Sequence, residues 1–231
     1  MTSTEQSGRS ADPGAGAAGR ASPSDADGLS PTLLLFGAPG VGKGTQGAIL
    51  GHVPGFFHLS MGDIFRALDP DSPEGRQARR HFLRGELVPD ELTIRIWRRG
   101  LDERVESGAF RPDREILVLD GIPRNPNQSA LLKDTIDVWL VVHLAASDKE
   151  LMIRRIRGRA LAENRPDDAD EAVIRRRFEV YHAESEPVLR CYPRDQVATV
   201  DALGTPAEVL RRLLDVIVPV QNRLWPEDHE T

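Results

Sequence analysis

The chain has 231 residues, a mass of 25.5 kDa and a net charge of −6, with 39% hydrophobic and 29% charged residues. That balance fits one substantial globular α/β domain and excludes a wholly disordered or membrane-embedded chain. The acidic charge, and the lack of basic patches interleaved with aromatics, argue against a nucleic-acid partner. One cysteine, Cys191, leaves no internal disulfide and no multi-cysteine zinc site. The longest apolar-rich run, residues 138–146, is interrupted by His143 and falls short of the roughly 18 residues of a spanning helix, so no membrane partner is expected.

Residues 1–30 hold 22 Gly, Ala, Ser, Pro or Asp and no aromatic residue. Such a segment has too little to bury to offset its conformational entropy, and a disordered tail is expected. It lacks the apolar core of a secretory signal, and its acids argue against a transit peptide, which leaves a cytoplasmic location by default. From Pro31 onward strand and helix patterns alternate. Strands are expected at residues 32–36, 115–119 and 137–142, with a weaker one at 196–200. Helices are expected at 42–50, 74–84, 90–106, 148–157, 171–190 and 206–218, and residues 221–231 read as a second tail. Strands separated by helices need crossover connections, so the fold class is α/β: a parallel sheet covered on both faces in a three-layer α/β/α domain spanning residues 31–220. Ligands of such sheets bind beyond the carboxyl ends of the strands.

The strongest motif follows the first strand and opens the first helix: Gly37-Ala38-Pro39-Gly40-Val41-Gly42-Lys43-Gly44-Thr45-Gln46. Glycines let a loop bring its backbone N–H groups close to phosphate oxygens, the helix adds its positive end, and Lys43 reaches the β- and γ-phosphates. Only three residues of this chain are lysines, which makes one inside a motif conspicuous. The usual phosphate loop places Ser or Thr directly after the lysine as a magnesium ligand, but here Gly44 stands there and Thr45 follows. Further on, Asp120 ends a predicted strand, where its carboxylate faces the loop across the strand tips and can organise magnesium-bound water.

With its Gly-Lys-Gly-Thr loop, the sequence resembles the nucleoside monophosphate kinases, and within them the adenylate kinase family most closely. Two further segments carry the likeness: His58-Leu59-Ser60-Met61-Gly62-Asp63-Ile64-Phe65-Arg66, and Gly85-Glu86-Leu87-Val88-Pro89-Asp90-Glu91. A third is Asp120-Gly121-Ile122-Pro123-Arg124 with Gln128, and a fourth is the arginine-rich stretch Arg155, Arg159, Arg165, Asp167-Asp168 and Arg177. The resemblance implies a five-stranded sheet, a helical monophosphate-binding insertion at residues 60–91 and a short lid at 158–169. It implies an ATP site of Gly40, Val41, Gly42, Lys43, Gly44, Thr45, Arg155, Arg159 and Gly204, with Arg155 stacking on adenine beside the Gly204 turn. It implies an AMP site in which Arg66, Arg124, Arg165 and Arg177 hold phosphate, and Met61, Leu87, Val88, Gly121 and Gln128 surround the base. Arginine suits phosphate because its guanidinium forms bidentate pairs. Asp167 and Asp168 match acids that hold the lid by pairing with arginine.

The activity so implied is reversible transfer of the ATP γ-phosphoryl group to AMP by a monomer, with Lys43, Arg66, Arg124, Arg159, Arg165, Arg177 and Asp120 as the catalytic set. Mg²⁺ would ride on the nucleotide phosphates, with Asp63 and Asp120 acting through water and no direct protein ligand or zinc. Two departures stand out. Ile122 replaces a common Phe, an apolar exchange, and Met61 replaces a threonine that contacts the AMP base, so it can pack but cannot supply a hydroxyl. Met61 leaves open a kinase for another monophosphate such as UMP or CMP, against which Gln128 argues. A nucleotide-binding regulatory protein without transfer activity is the reading from a different class.

Overall fold

The computed structural model describes residues 29–162, 168 and 170–225. The tail expected at residues 1–30 therefore lies almost wholly outside the described residues, as do Arg165 and Asp167. Five parallel strands form one sheet in the order β2-β3-β1-β4-β5: β1 (Ser30–Gly37), β2 (Phe56–Ser60), β3 (Ile116–Asp120), β4 (Ile136–Ala145) and β5 (Val197–Asp201). β1 is central and buried along its whole length, as a strand covered on both faces must be.

Successive side chains of a strand point to opposite faces, and that alternation divides the core in two. Leu33 and Leu35 of β1, with Val118 and Val142, pack against Leu50 of α1 (Lys43–Leu50), Met152 and Ile156 of α6 (Lys149–Ala162) and the apolar stripe of α8 (Pro206–Leu224). Leu34 and Phe36, with Leu117, Leu119 and Val141, pack against Phe65 of α2 (Met61–Ala67) and against Ile96, Trp97 and Leu101 of α4 (Asp90–Glu106). The remaining helices, α3 (Pro73–Phe82), α5 (Pro126–Leu132) and α7 (Glu171–Val180), lie on the connections. The three layers expected from the alternating pattern are thus present.

Some boundaries differ from expectation. β2 and α2 were hidden in the motif around His58, because β2 alternates weakly and only Phe56 and Leu59 are buried. The helix expected over 171–190 stays α-helical to Val180, then loosens into a π turn at Tyr181–Ser185 and a 3-10 segment at Glu186–Cys191. Pro187 lies there, and its missing N–H cannot continue an α-helical ladder.

The C-terminal boundary needs correction. The helix was expected to end at Val218 with a tail from 221, yet α8 runs through Pro219 to Leu224. Val209, Leu213, Ile217, Val220 and Leu224 form one buried stripe at helical spacing, and this burial carries the helix past the proline. Its start is fixed by a capping box, in which the Thr205 hydroxyl and the Glu208 carboxylate satisfy each other's backbone N–H groups. Leu224 is 1% exposed, so Leu224→Ala should lower stability by about 2–5 kcal/mol, read as a shift in the denaturant midpoint at constant slope.

Candidate active site

Each strand delivers a candidate residue at or after its carboxyl end. The glycine loop follows β1, Met61, Asp63 and Arg66 follow β2, Asp120 closes β3, Arg155 and Arg159 lie in the helix after β4, and Gly204 follows β5. The sequence changes direction across the sheet at β1, with β3 on one side and β4 on the other, and this is where α/β sheets open a crevice. A cavity of ≈ 560 Å³ occupies it, within the range of small-molecule sites.

Gly40 and Gly42 adopt φ of +77° and +108°, a region in which side chains are strained. A Cβ on Gly40 would also stand 2.6 Å from the Met152 carbonyl oxygen, so the loop is held close against α6. Gly42 caps α1 with no side chain, leaving the first backbone N–H groups of that helix for an anion. Lys43 Nζ donates to the carbonyls of Gly37 (2.8 Å) and Ala38 (3.2 Å). Burial lowers the Lys43 pKa to about 8; Asp120 opposes the shift, while Arg124, Arg159 and Arg177 reinforce it. Those four groups line the same cavity as the lysine and lie near enough to act on its charge.

Arg124 Nε donates to the Gly121 carbonyl at 3.1 Å, and the Arg124 pKa is lowered by burial and then by Arg177. Asp168, fully buried, pairs with Arg159 at 2.6 Å and with Arg177 through its other oxygen. The expected pairing of Asp168 with lid arginines is thus present in the structure. Arg66 pairs with Asp63 at 2.7 Å across one turn of α2, and Arg155 reaches the Gly204 carbonyl at 3.3 Å, joining α6 to the turn before α8. Asp120 is 9% exposed; its Oδ2 lies 3.5 Å from where a side chain on Gly44 would begin, so bare Gly44 leaves space before the carboxylate.

Met61, Leu87, Val88, Gly121 and Gln128, expected around the acceptor base, line the same cavity as the loop residues from Gly40 to Thr45. Arg66, Arg124, Arg155, Arg159, Arg177, Asp63, Asp120 and Gly204 line it too, while the expected residues Arg165 and Asp167 lie outside the described residues. Gln128 is not a solvated helical glutamine: it is 1% exposed, its Oε1 accepts from the Arg124 backbone N–H (2.7 Å), and its Nε2 donates to Asp90 Oδ1 (2.8 Å).

Sequence reasoning passed over Thr93, Phe65 and Phe82, which also line the cavity. Thr93 is 3% exposed, and its hydroxyl donates to the Val88 carbonyl at 3.2 Å. A polar residue on the apolar face of α4 was the available signal. Phe65 and Phe82 meet edge to face with centroids 5.3 Å apart. His58 packs under α1 where Gly47 leaves room for its ring, and burial lowers its pKa. Among the described residues no group of three or more His, Cys, Asp or Glu is disposed to hold a metal, and no helix is long and apolar enough to cross a membrane.

Comparison with known proteins bears on this arrangement. The Adenylate kinase family profile matches residues 35–197. A protein named adenylate kinase from Mycolicibacterium smegmatis is 38% identical over 192 residues, covering 80% of this chain and 98% of its own. Those of Thermus thermophilus and Streptomyces coelicolor are 40% and 32% identical, covering 78% and 80% of this chain and 94% and 97% of theirs. The glycine loop after β1, the cations that line the cavity with it and these similarities agree: the chain belongs to the adenylate kinase family.

Proposed function

We propose that the protein catalyses reversible transfer of the γ-phosphoryl group of ATP to AMP, giving two ADP. The observation that carries this reading is the gathering of Arg124, Arg159, Arg177 and Asp120 around Lys43 at the mouth of the glycine loop. A phosphate oxygen of AMP attacks the γ-phosphorus as the bond from that phosphorus to the β-bridging oxygen breaks, and the electron pair leaves with ADP. No protein nucleophile is needed, because positioning and charge stabilisation supply most of the catalysis. The loop N–H groups and Lys43 take the ATP phosphates, and Arg155 with the Gly204 turn takes its adenine end. Arg66 and Arg124 hold the AMP phosphate, while Arg159, Arg177 and Arg165 meet the charge spread over the equatorial oxygens in flight. Met61, Leu87, Val88, Gly121 and Gln128 enclose the acceptor base.

Two carboxylates, Asp63 and Asp120, line the cavity, and no side chain stands at Gly44. This donor set fits a Mg²⁺ held mostly by phosphate oxygens and water, touched by Asp120 and Asp63 through water. When bound with ATP, the ion neutralises phosphate charge. A monomer working in the cytoplasm fits a chain whose one cysteine, Cys191, is free and exposed.

The direct test is ADP formation from ATP with AMP, GMP, CMP and UMP at equal concentrations. AMP should be the preferred acceptor; preference for UMP or CMP would move the assignment to another monophosphate kinase. Tight ATP binding without ADP formation would make the protein a silent nucleotide binder. Lys43→Met should lower kcat by about 10²–10³-fold with the fold retained by circular dichroism.

The pKa of about 8 for Lys43 sets a pH dependence. The ammonium binds ATP and is lost as pH rises through that value, so kcat/KM for ATP should fall above about pH 8. Bound phosphates favour the charged form, so the decline in kcat should lie at higher pH. Lys43→Arg should shift the kcat/KM decline upward. The effect on stability has the opposite sign: between about pH 8 and 10.5 the unfolded chain holds this proton and the folded one does not, so the group's contribution to stability rises with pH.

A further inference from the structure

Asp90, the first residue of α4, is half-buried and accepts hydrogen bonds from three side-chain amides. Its Oδ1 accepts from Asn125 Nδ2 (2.9 Å) and Gln128 Nε2 (2.8 Å), and its Oδ2 accepts from Asn127 Nδ2 (2.7 Å). All three donors lie at the start of α5, so one carboxylate ties the helix after the Leu87-Val88 segment to the helix that carries Gln128. Burial alone would raise the Asp90 pKa, but the bonds from Asn127, Asn125 and Gln128 outweigh it and hold the group ionised below its ordinary range.

The amide of Gln128 is therefore gripped from two sides by groups that cannot exchange roles. The Arg124 backbone N–H only donates, and it meets Oε1 at 2.7 Å; the carboxylate of Asp90 only accepts, and it meets Nε2. A flipped Gln128 would set N–H against N–H and oxygen against a carboxylate oxygen. Which end is oxygen and which is nitrogen is thus dictated by chemistry, where an isolated amide would leave it open. Each end keeps one unused function, a lone pair on Oε1 and an N–H on Nε2, and the residue lines the cavity wall.

The polarity matters because its surroundings supply little else. Met61, Leu87 and Val88 present apolar side chains to the same cavity, and the Thr93 hydroxyl is engaged with the Val88 carbonyl. Adenine offers an exocyclic amine donor beside a ring-nitrogen acceptor, which matches an oxygen beside an N–H. Guanine offers a carbonyl acceptor beside a ring N–H, and uracil does likewise, so each would set acceptor against acceptor and donor against donor. Sites that leave buried polar groups unpaired discriminate far more strongly than apolar pockets do.

We propose that Asp90 is a positioning residue that locks the amide of Gln128 in one polarity and so makes the acceptor site select adenine over guanine and uracil. This rests on the transfer reading above for which nucleotide enters that site. It does not rest on Asp90 touching a nucleotide.

The test compares AMP and GMP on the full chain, by calorimetric binding and by transfer kinetics, in wild type, Asp90→Ala, Gln128→Ala and the double variant. Asp90→Ala should weaken AMP binding about tenfold, leave GMP binding within twofold, and so reduce the AMP:GMP preference about tenfold. KM for AMP should carry the loss, with kcat and KM for ATP within twofold of wild type. Because Asp90 acts through Gln128, the double variant should discriminate no worse than Gln128→Ala alone. Asp90→Asn, which keeps an acceptor oxygen for Nε2, should restore most of the preference. If Asp90→Ala does not fold, Asp90→Ser carries the test, since serine suits a helix start and its hydroxyl can donate or accept. Equal weakening of AMP and GMP, or an unchanged preference, overturns the proposal, as does wild-type binding of GMP as tight as that of AMP. Failure of the transfer reading looks different: no ADP forms from ATP and AMP, while the binding preference and its loss in Asp90→Ala persist.

Discussion

Like charges repel, and this molecule gathers Lys43, Arg124, Arg159 and Arg177 around one cavity. The mutual effect registers on the weakest cation of the set: Lys43 loses its proton near pH 8 because burial and three guanidiniums both disfavour its charge. Arginine holds its proton under the same pressure, so the three guanidiniums stay charged beside the lysine. The arrangement persists because counter-charges are built in. Asp120 faces the lysine from the end of β3, and Asp168, with no exposed surface, bridges the guanidiniums of Arg159 and Arg177. Removing a buried partner of that kind would leave uncompensated charges, the costly outcome for ion pairs away from water. A polyphosphate entering such a site relieves a repulsion already present, so part of its binding energy comes from strain in the resting protein.

The sheet makes that gathering mechanically possible. Parallel strands present all their carboxyl ends at one edge, so groups far apart in sequence, from Gly40 to Gly204, reach one cavity without long loops. Leu33, Leu34, Leu35 and Phe36 lock β1 between two apolar layers, which gives the glycine loop a rigid base. The loop is then pressed between that base and α6, with no space for a side chain at Gly40. Rigid placement matters because the chemistry depends on where donors stand when charge moves.

How much of this was legible in the sequence depended on whether a local pattern or a tertiary contact decided the outcome. The β1–loop–α1 unit announced itself, because an apolar run, glycines and a lysine each have a local physical reason. β2 did not, since its partners are supplied by β3 and its own alternation is weak. The end of α8 lay further on for the same kind of reason: the helix passes through Pro219 because Val220 and Leu224 are buried in the core. At the site, the motifs that carry the family resemblance brought most of the cavity-lining set together in expectation. They were silent on the grip around Gln128, because Asp90 reads locally as an ordinary acid in the first turn of a helix, and its amide partners lie 35 to 38 positions away.

Asp168 and Asp90 work by the same physical rule, each behind residues that line the cavity. Each is an acceptor-only group that ties separate segments together: the guanidiniums of α6 and α7 in one case, its own α4 and the amides at the start of α5 in the other. An ionised carboxylate cannot reverse its role, so the groups bound to it lose the freedom to turn away or flip. The entropy of ordering flexible arginine and glutamine side chains is then met during folding, when core burial is available to offset it, and binding is spared that cost. The two carboxylates differ in what they leave open. Asp168 occupies guanidinium donors that phosphate oxygens would also use, so it holds the arginines near the reaction centre in the absence of nucleotide. Asp90 takes only one N–H of Gln128, a residue that lines the cavity, so its grip survives occupancy. A carboxylate of the first kind can be displaced as the site fills, whereas one of the second kind remains part of the filled site and can decide what fills it.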